Sequence, residues 1–158
     1  MDKIEFLILK NLIHNEDYLR KVLPFIKEDY FEDLNQKILF KEINQFVSEY
    51  NKVPTEEALG IEIQNRKDIN ETQYREICQL IECLQPTPVE LTWLFNTTEK
   101  WCRDRAIYLA LMDSIYIADG KDEKKNRDSI PSILTDALAV SFDTNIGHDY
   151  LQDYEKRY

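Results

Sequence analysis

The residues that most often carry metal or nucleophilic chemistry are few in this sequence and lie far apart. The three cysteines are Cys78, Cys83 and Cys102, and the two histidines are His14 and His148. No cysteine pair has the CxxC spacing of a zinc site, and His148 has no serine or cysteine nucleophile at a recognisable spacing. The sequence therefore predicts no metal site and no catalytic residue of this kind. Its cysteines are typical of reduced thiols in an intracellular protein.

Neighbouring carboxylates are the second candidate for chemistry. They occur at Glu16-Asp17 and Glu56-Glu57, and Asp149 precedes Asp153 by one helical turn. Such pairs act in hydrolysis or bind Mg²⁺ where burial or a neighbouring charge shifts a pKa. Each pair lies in a polar stretch, so we interpret all three as solvated surface.

The Gly120-Lys121 pair tests for a nucleotide-binding loop. The GxxxxGK[ST] pattern would require glycine at position 115 and serine or threonine at position 122. The sequence has Ile115 and Asp122 at those positions. The pair is therefore predicted to form a turn, and no cofactor-binding residue is predicted in this chain.

Charge and aromatic spacing bear on nucleic-acid binding. Thirty acidic residues against twenty basic ones give a formal net charge of −10, whereas phosphate-binding surfaces are normally basic. Trp93, Trp101 and Tyr108 are spaced for base stacking or for packing between helices. Because Glu99 and Asp104 lie among them, we favour packing and expect little direct DNA binding.

The elements that position these residues are predicted to be helices throughout. Three glycines and five prolines are too few for the many turns of an all-β fold. Apolar spacing and capping residues predict helices at 2–13, from Tyr18 to about Pro24, at 34–50, after Thr55, and after an Asn70 cap with Gln73 three residues on. No apolar run approaches the length of a signal core or a membrane span.

The most informative segment follows Pro86-Thr87-Pro88. It runs from Val89 to Ala118 without glycine or proline, which allows one helix of about 45 Å. Its apolar residues lie on more than one side, and such a helix needs more than one neighbour. Gly120 is predicted to end it, and a second helix from Ser129, carrying residues as far as Phe142, would return antiparallel. Much of the first arm would stay exposed, so we expect self-association.

Two stretches resemble a known family. The run Trp93–Tyr108, WLFNTTEKWCRDRAIY, resembles the hairpin helix of T-even-type phage replicative helicases, which belong to the DnaB-like group. The segment Ser141–Tyr150, SFDTNIGHDY, is similar to the start of their interdomain linker. The helix order and the Tyr30-Phe31 region also resemble the family. The resemblance covers essentially the whole chain, as an N-terminal domain only.

The resemblance implies an all-α fold in three parts. These are a compact helical head at 1–86, a long antiparallel helical hairpin at 87–142, and the start of a linker helix at 143–158. The parent protein would be a hexameric ring that unwinds duplex DNA with nucleoside triphosphates. Its ATPase domain would follow Tyr158, and ATP and Mg²⁺ would belong to that domain, so this chain would hold no cofactor and catalyse no reaction.

The implied partners are other copies of the chain, paired through the hairpin in a dimer or a ring. Primase and a helicase loader are further implied partners, single-stranded DNA would meet only the parent ring, and no membrane is involved. The implied location is the cytoplasm of an infected bacterial host. The predicted oligomer interface consists of Leu94, Trp101, Tyr108, Leu109, Met112, Leu138 and Phe142. The predicted linker-docking face consists of Tyr150, Leu151 and Tyr154.

Two other interpretations remain open from the sequence. The chain could be a free-standing helical adaptor or regulator unrelated to helicases. It could also be a small metal-dependent hydrolase, which would require a buried cluster of carboxylates or histidines. A reading frame that continues past Tyr158 into GxxxxGK[ST] would distinguish the helicase from the adaptor.

Overall fold

The computed structural model describes residues 3–142, and these residues form helices joined by short connections, with no strand among them. The all-α prediction is confirmed. The helices are α1 Lys3–His14, α2 Glu16–Val22, α3 Leu34–Tyr50, α4 Glu56–Gln64, α5 Glu71–Cys83, α6 Leu91–Ala118 and α7 Ile130–Leu138. Short 3₁₀ turns occupy Leu23–Phe25, Glu28–Tyr30 and Arg127–Ser129. Within the described range, no helix has both the length and the hydrophobicity of a membrane span.

Side-chain caps fix where several of these helices begin. Asn15, Asp33 and Thr55 each accept a hydrogen bond from the backbone N–H three residues later. Asn70 and Gln73 form the reciprocal capping box that their spacing predicts, with N···O distances of 2.8 and 3.0 Å. Because each cap satisfies an otherwise unpaired N–H, the sequence determines these boundaries locally.

Contacts divide the chain into two units, the first ending at Phe95 and the second starting at Asn96. The core of the first unit is made of fully buried apolar side chains of α1 to α5 and of the connection that precedes α3. It includes Ile8, Leu9, Leu12, Tyr18, Leu19, Phe31, Leu39, Ile43, Leu59, Ile63 and Ile77.

The first unit extends nine residues beyond the predicted head, which ended at position 86. Leu94 is fully buried, and the ring of Phe95 stacks on Tyr18 with centroids 5.8 Å apart. The Nζ of Lys21 lies over the ring of Phe95, 4.9 Å from its centroid. The first turn of α6 therefore contributes to the core of the first unit.

The second unit contains most of α6 and the returning α7. Gly120, with φ +75°, ends α6, and the N–H of Lys121 donates back to the carbonyl of Tyr116 at 3.2 Å. The predicted turn at Gly120-Lys121 is confirmed. The predicted second arm is shorter than expected, because α7 ends at Leu138 and Phe142 lies beyond it. Side chains of α6 bind the backbone after α7. Positions 143–158, including the predicted linker, lie outside the described residues.

Candidate self-association surface

The long helix α6 has two opposite apolar faces. At about 100° per residue, Cys102, Ala106, Ala110 and Ile117 share one face, and all four are buried. Large apolar residues lie on the opposite face, and they remain between 47% and 57% exposed. We call this set the exposed stripe, and it consists of Tyr108, Leu111, Met112 and Ile115. The i, i+3, i+4 and i+7 spacing places the four side chains side by side.

The exposed stripe has a charged border. Toward the start of α6, Lys100 and Asp104 form an ion pair at 2.7 Å, and the guanidinium of Arg105 lies 4.9 Å from the ring centroid of Tyr108. Tyr116, 48% exposed, widens the apolar surface on one side of the stripe. An apolar centre with a polar rim is the usual composition of a protein interface.

The returning segment is fixed to α6 by hydrogen bonds. Arg103 Nε donates to the carbonyl of Val140 at 3.0 Å. The backbone N–H of Phe142 donates to Glu99 Oε2 at 2.7 Å, and Phe142 is 5% exposed. Within residues 3–142, these contacts hold the returning segment on the buried face of α6, and they do not involve the exposed stripe. They also explain why Phe142 lies off α7, since its backbone is bound by a side chain instead of continuing the helix.

The predicted interface residues fall into three groups in the structure. Leu94, Trp101 and Phe142 are buried within the chain, so they offer no surface to a partner. Leu109 is half-buried. Tyr108, Met112 and Leu138 are exposed, with Leu138 at 65%. The linker-docking residues Tyr150, Leu151 and Tyr154 lie outside the described residues.

Sequence reasoning placed Leu111, Ile115 and Tyr116 in the long helix but did not assign them to the interface. Their spacing from Tyr108 was the available signal, because positions three, four and seven residues on share one helix face. Which of the two apolar faces the chain itself would cover depends on the path of α7. Helical periodicity does not predict that path.

The candidate catalytic groups lie in structural roles or at the surface. His14 Nε2 contacts the carbonyl of Leu84 at the end of α5 and lies 3.7 Å from Glu56. Glu16 accepts a hydrogen bond from Arg20 at 3.1 Å in an exposed pair. Across residues 3–142, no three histidine, cysteine or acidic side chains group closely enough to hold one metal ion. Trp101 is buried and so presents no face on which a base could stack.

Comparison with known proteins gives one strong similarity. No protein-family model matches the chain. The chain is 37% identical over 160 aligned residues to a DnaB-like replicative helicase of Enterobacteria phage T4. The alignment covers 96% of this chain but 34% of the phage protein, so the chain spans about a third of that relative's length. This similarity confirms the resemblance predicted from the sequence, to the N-terminal domain of a T-even-type phage replicative helicase of the DnaB-like group.

Proposed function

We propose that this chain is the N-terminal assembly domain of a DnaB-like replicative helicase, in which copies associate through the exposed stripe of α6. The assembled copies would form the collar of a hexameric ring that unwinds duplex DNA with nucleoside triphosphate hydrolysis. The similarity to the phage T4 protein supports the helicase context. The observation that supports a role in assembly is the exposed stripe on α6.

The physical reason is the cost of leaving the exposed stripe in water. Burying a large apolar side chain fully contributes about 1.5–3 kcal/mol, so covering the remaining half of the eight such residues that a stripe-to-stripe contact brings together would contribute roughly 6–12 kcal/mol. Association costs about 4–15 kcal/mol in lost translational, rotational and side-chain freedom. One stripe-to-stripe contact would therefore be weak in isolation. It would become effective in a ring, where a parent protein supplies further contacts between the same subunits.

The remaining parts of the proposed function belong to the parent protein. ATP and Mg²⁺ would bind an ATPase domain, and single-stranded DNA would pass through the ring with little contact to this acidic chain. Primase would dock on the assembled collar, and a helicase loader would act on the same ring. The net charge of −10 and the burial of Trp101 support assigning DNA contact elsewhere.

The test compares two isoleucines with equal exposure. Ile115 in the exposed stripe and Ile61 on α4 are both 57% exposed. Sedimentation of the wild-type chain over a wide concentration range should show self-association. Ile115→Glu should abolish it, because the carboxylate would be desolvated in the contact, whereas Ile61→Glu should leave it unchanged.

Two outcomes would overturn the assembly role. One is a folded wild-type chain that stays monomeric at the highest concentration reached. The other is equal association by both variants. Mass measurement with and without the phage primase then tests the partner directly, and a complex that forms with wild type but not with Ile115→Glu would support docking on the assembled collar.

A further inference from the structure

A second surface feature lies in the first unit. Helices α4 and α5 enclose an open groove with a volume of about 220 Å³. Its lining consists of Gly60, Cys78 and Ile81, which are buried or half-buried and which we take as the floor, and of Glu56, Glu57 and Glu82, which we take as the rim. We call it the α4–α5 groove. An apolar floor under a rim of one charge sign is a site that could hold a partner side chain.

Gly60 is the unexpected residue in this groove. It lies in the middle of α4, where glycine disfavours the helix relative to alanine by roughly fourfold in the helix–coil equilibrium. Its φ is not positive, and among residues 3–142 a Cβ added there would meet no atom within 4 Å apart from its chain neighbours and the backbone of its own helix. Neither backbone conformation nor close packing inside the chain therefore requires glycine at this position. A Cβ would instead project into space on the groove floor.

The charges on the rim are only partly balanced. Glu56 lies 3.7 Å from His14 Nε2. Among residues 3–142, Glu57 and Glu82 have no cationic side chain within 4 Å. Among the described residues, no three histidine, cysteine or acidic side chains lie close enough together to hold a metal ion, so the rim carboxylates are not assigned as metal ligands. An occupant complementary to this groove would carry both a positive charge and an apolar group.

We propose that the α4–α5 groove binds a basic amphipathic segment of a partner protein. An apolar side chain of that segment would rest over Gly60 and Ile81, and flanking lysines or arginines would pair with Glu57 and Glu82. A second copy of this chain fits poorly, because each copy carries a net charge of −10. The groove and the exposed stripe share no residue, so this proposal stands or falls independently of self-association.

The first test uses Gly60, where stability and binding should change in opposite directions. The probe is a synthetic amphipathic helix of leucine and lysine, and the control peptide has glutamate in place of lysine. Gly60→Ala should raise the melting temperature by about 2–4 °C, because alanine favours the helix. The same variant should weaken binding of the lysine peptide at least fivefold. A stabilised variant that binds as tightly as wild type would overturn the proposal.

The second test separates the groove from general attraction to an acidic protein. Glu57→Gln/Glu82→Gln should weaken binding of the lysine peptide at least tenfold. Asp17→Asn/Glu49→Gln removes the same charge from exposed positions elsewhere on the first unit and should weaken it less than threefold. Equal losses of affinity in the two double variants would show that the peptide responds only to the net charge of the protein. That result would contradict binding in the α4–α5 groove.

The third test locates the peptide. In a Cys83→Ser background, Cys78 is the accessible thiol among the described residues, because Cys102 is buried. The lysine peptide should slow alkylation of Cys78 severalfold, and the glutamate peptide should not. Unchanged alkylation under saturating lysine peptide would place the peptide elsewhere and reject the groove.

Discussion

Glu99 on α6 accepts a hydrogen bond from the backbone N–H of Phe142, with Oε2 2.7 Å from the nitrogen. The same oxygen lies 3.4 Å from the hydroxyl of Ser141. Arg103, one turn along α6, lies 3.8 Å from Glu99 and donates to the carbonyl of Val140. One acidic and one basic side chain thus hold the segment after α7 against the long helix.

Removing this carboxylate should loosen the hairpin. We expect Glu99→Ala to lower the free energy of unfolding by about 1–3 kcal/mol, because a part-buried N–H loses its charged acceptor. Asp104→Ala removes an acid of the same helix whose ion pair with Lys100 is exposed, and it should cost less than about 0.5 kcal/mol. Urea unfolding followed by tryptophan fluorescence measures both. Equal losses would show that Glu99 contributes no more than a surface charge.

A second prediction concerns Arg66, which donates to the buried carboxylate of Glu42 and to both oxygens of Asp68. Arg66→Ala should cost about 2–4 kcal/mol of stability, because Glu42, with a side chain 8% exposed, would lose its countercharge. Arg75→Ala is the matched control, since its pair with Glu71 is 71% exposed on both sides. That control should change stability by less than about 0.5 kcal/mol.

The same cluster predicts a pH dependence. The hydrogen bond from Arg66 holds the pKa of Asp68 below its ordinary value of 3.8, and partial desolvation opposes this effect. A depressed folded-state pKa stabilises the fold above pH 3.8, and this stabilisation is lost as the pH falls through the folded value. NMR titration should give a higher pKa for Asp68 in Arg66→Ala than in wild type. An unchanged pKa would contradict the assignment.

Cys102 should respond to alkaline pH. Burial, together with the nearby charge of Glu99, raises the pKa of its thiol to about 12. Because the unfolded thiol ionises near 9.0, this residue stabilises the fold fully below that pH and loses its contribution as the pH rises toward 12. The difference in stability between wild type and Cys102→Ala should shrink over this interval. A constant difference from neutral to strongly alkaline pH would contradict the prediction.

Gln36 offers a stabilising substitution. Its side chain is fully buried in α3, and within the described part of the chain neither its amide nitrogen nor its amide oxygen has a hydrogen-bond partner. Gln36→Met keeps a similar volume without the polar atoms and should raise the free energy of unfolding by about 1–2 kcal/mol. Gln45→Met, at an exposed position of the same helix, should have little effect. A destabilised Gln36→Met would show that the amide is satisfied in solution.

Much of the fold was predictable because its determinants are local. The bounds of α3 at Leu34 and Tyr50 match the predicted helix, and the Asn70 cap is where the sequence indicates it. Gly120 ends α6 because its left-handed backbone conformation favours glycine. In each case a few adjacent residues determine the result.

The candidate surfaces were less predictable because they depend on contacts between distant residues. Periodicity indicated two apolar faces on α6. Which face the returning segment covers is shown by contacts between distant residues, such as the hydrogen bond that the N–H of Phe142 donates to Glu99, 43 positions away. For the same reason Trp101 and Phe142 were assigned to an interface although they are buried. The sequence indicates the α4–α5 groove only through Gly60, a glycine inside a helix. That glycine points to a groove only once the structure shows open space beside it.

The opposed faces of α6 also limit how the length of this protein can vary. One residue inserted between Ala106 and Tyr108 would rotate everything after it by about 100° about the helix axis, which would turn Leu111 and Ile115 away from their present side. An insertion of seven residues would nearly restore the register. The polar loop at 121–126 carries no such constraint. Related proteins should therefore differ in length mainly in that loop, and within α6 by insertions close to a whole number of helical turns, such as about seven or eleven residues.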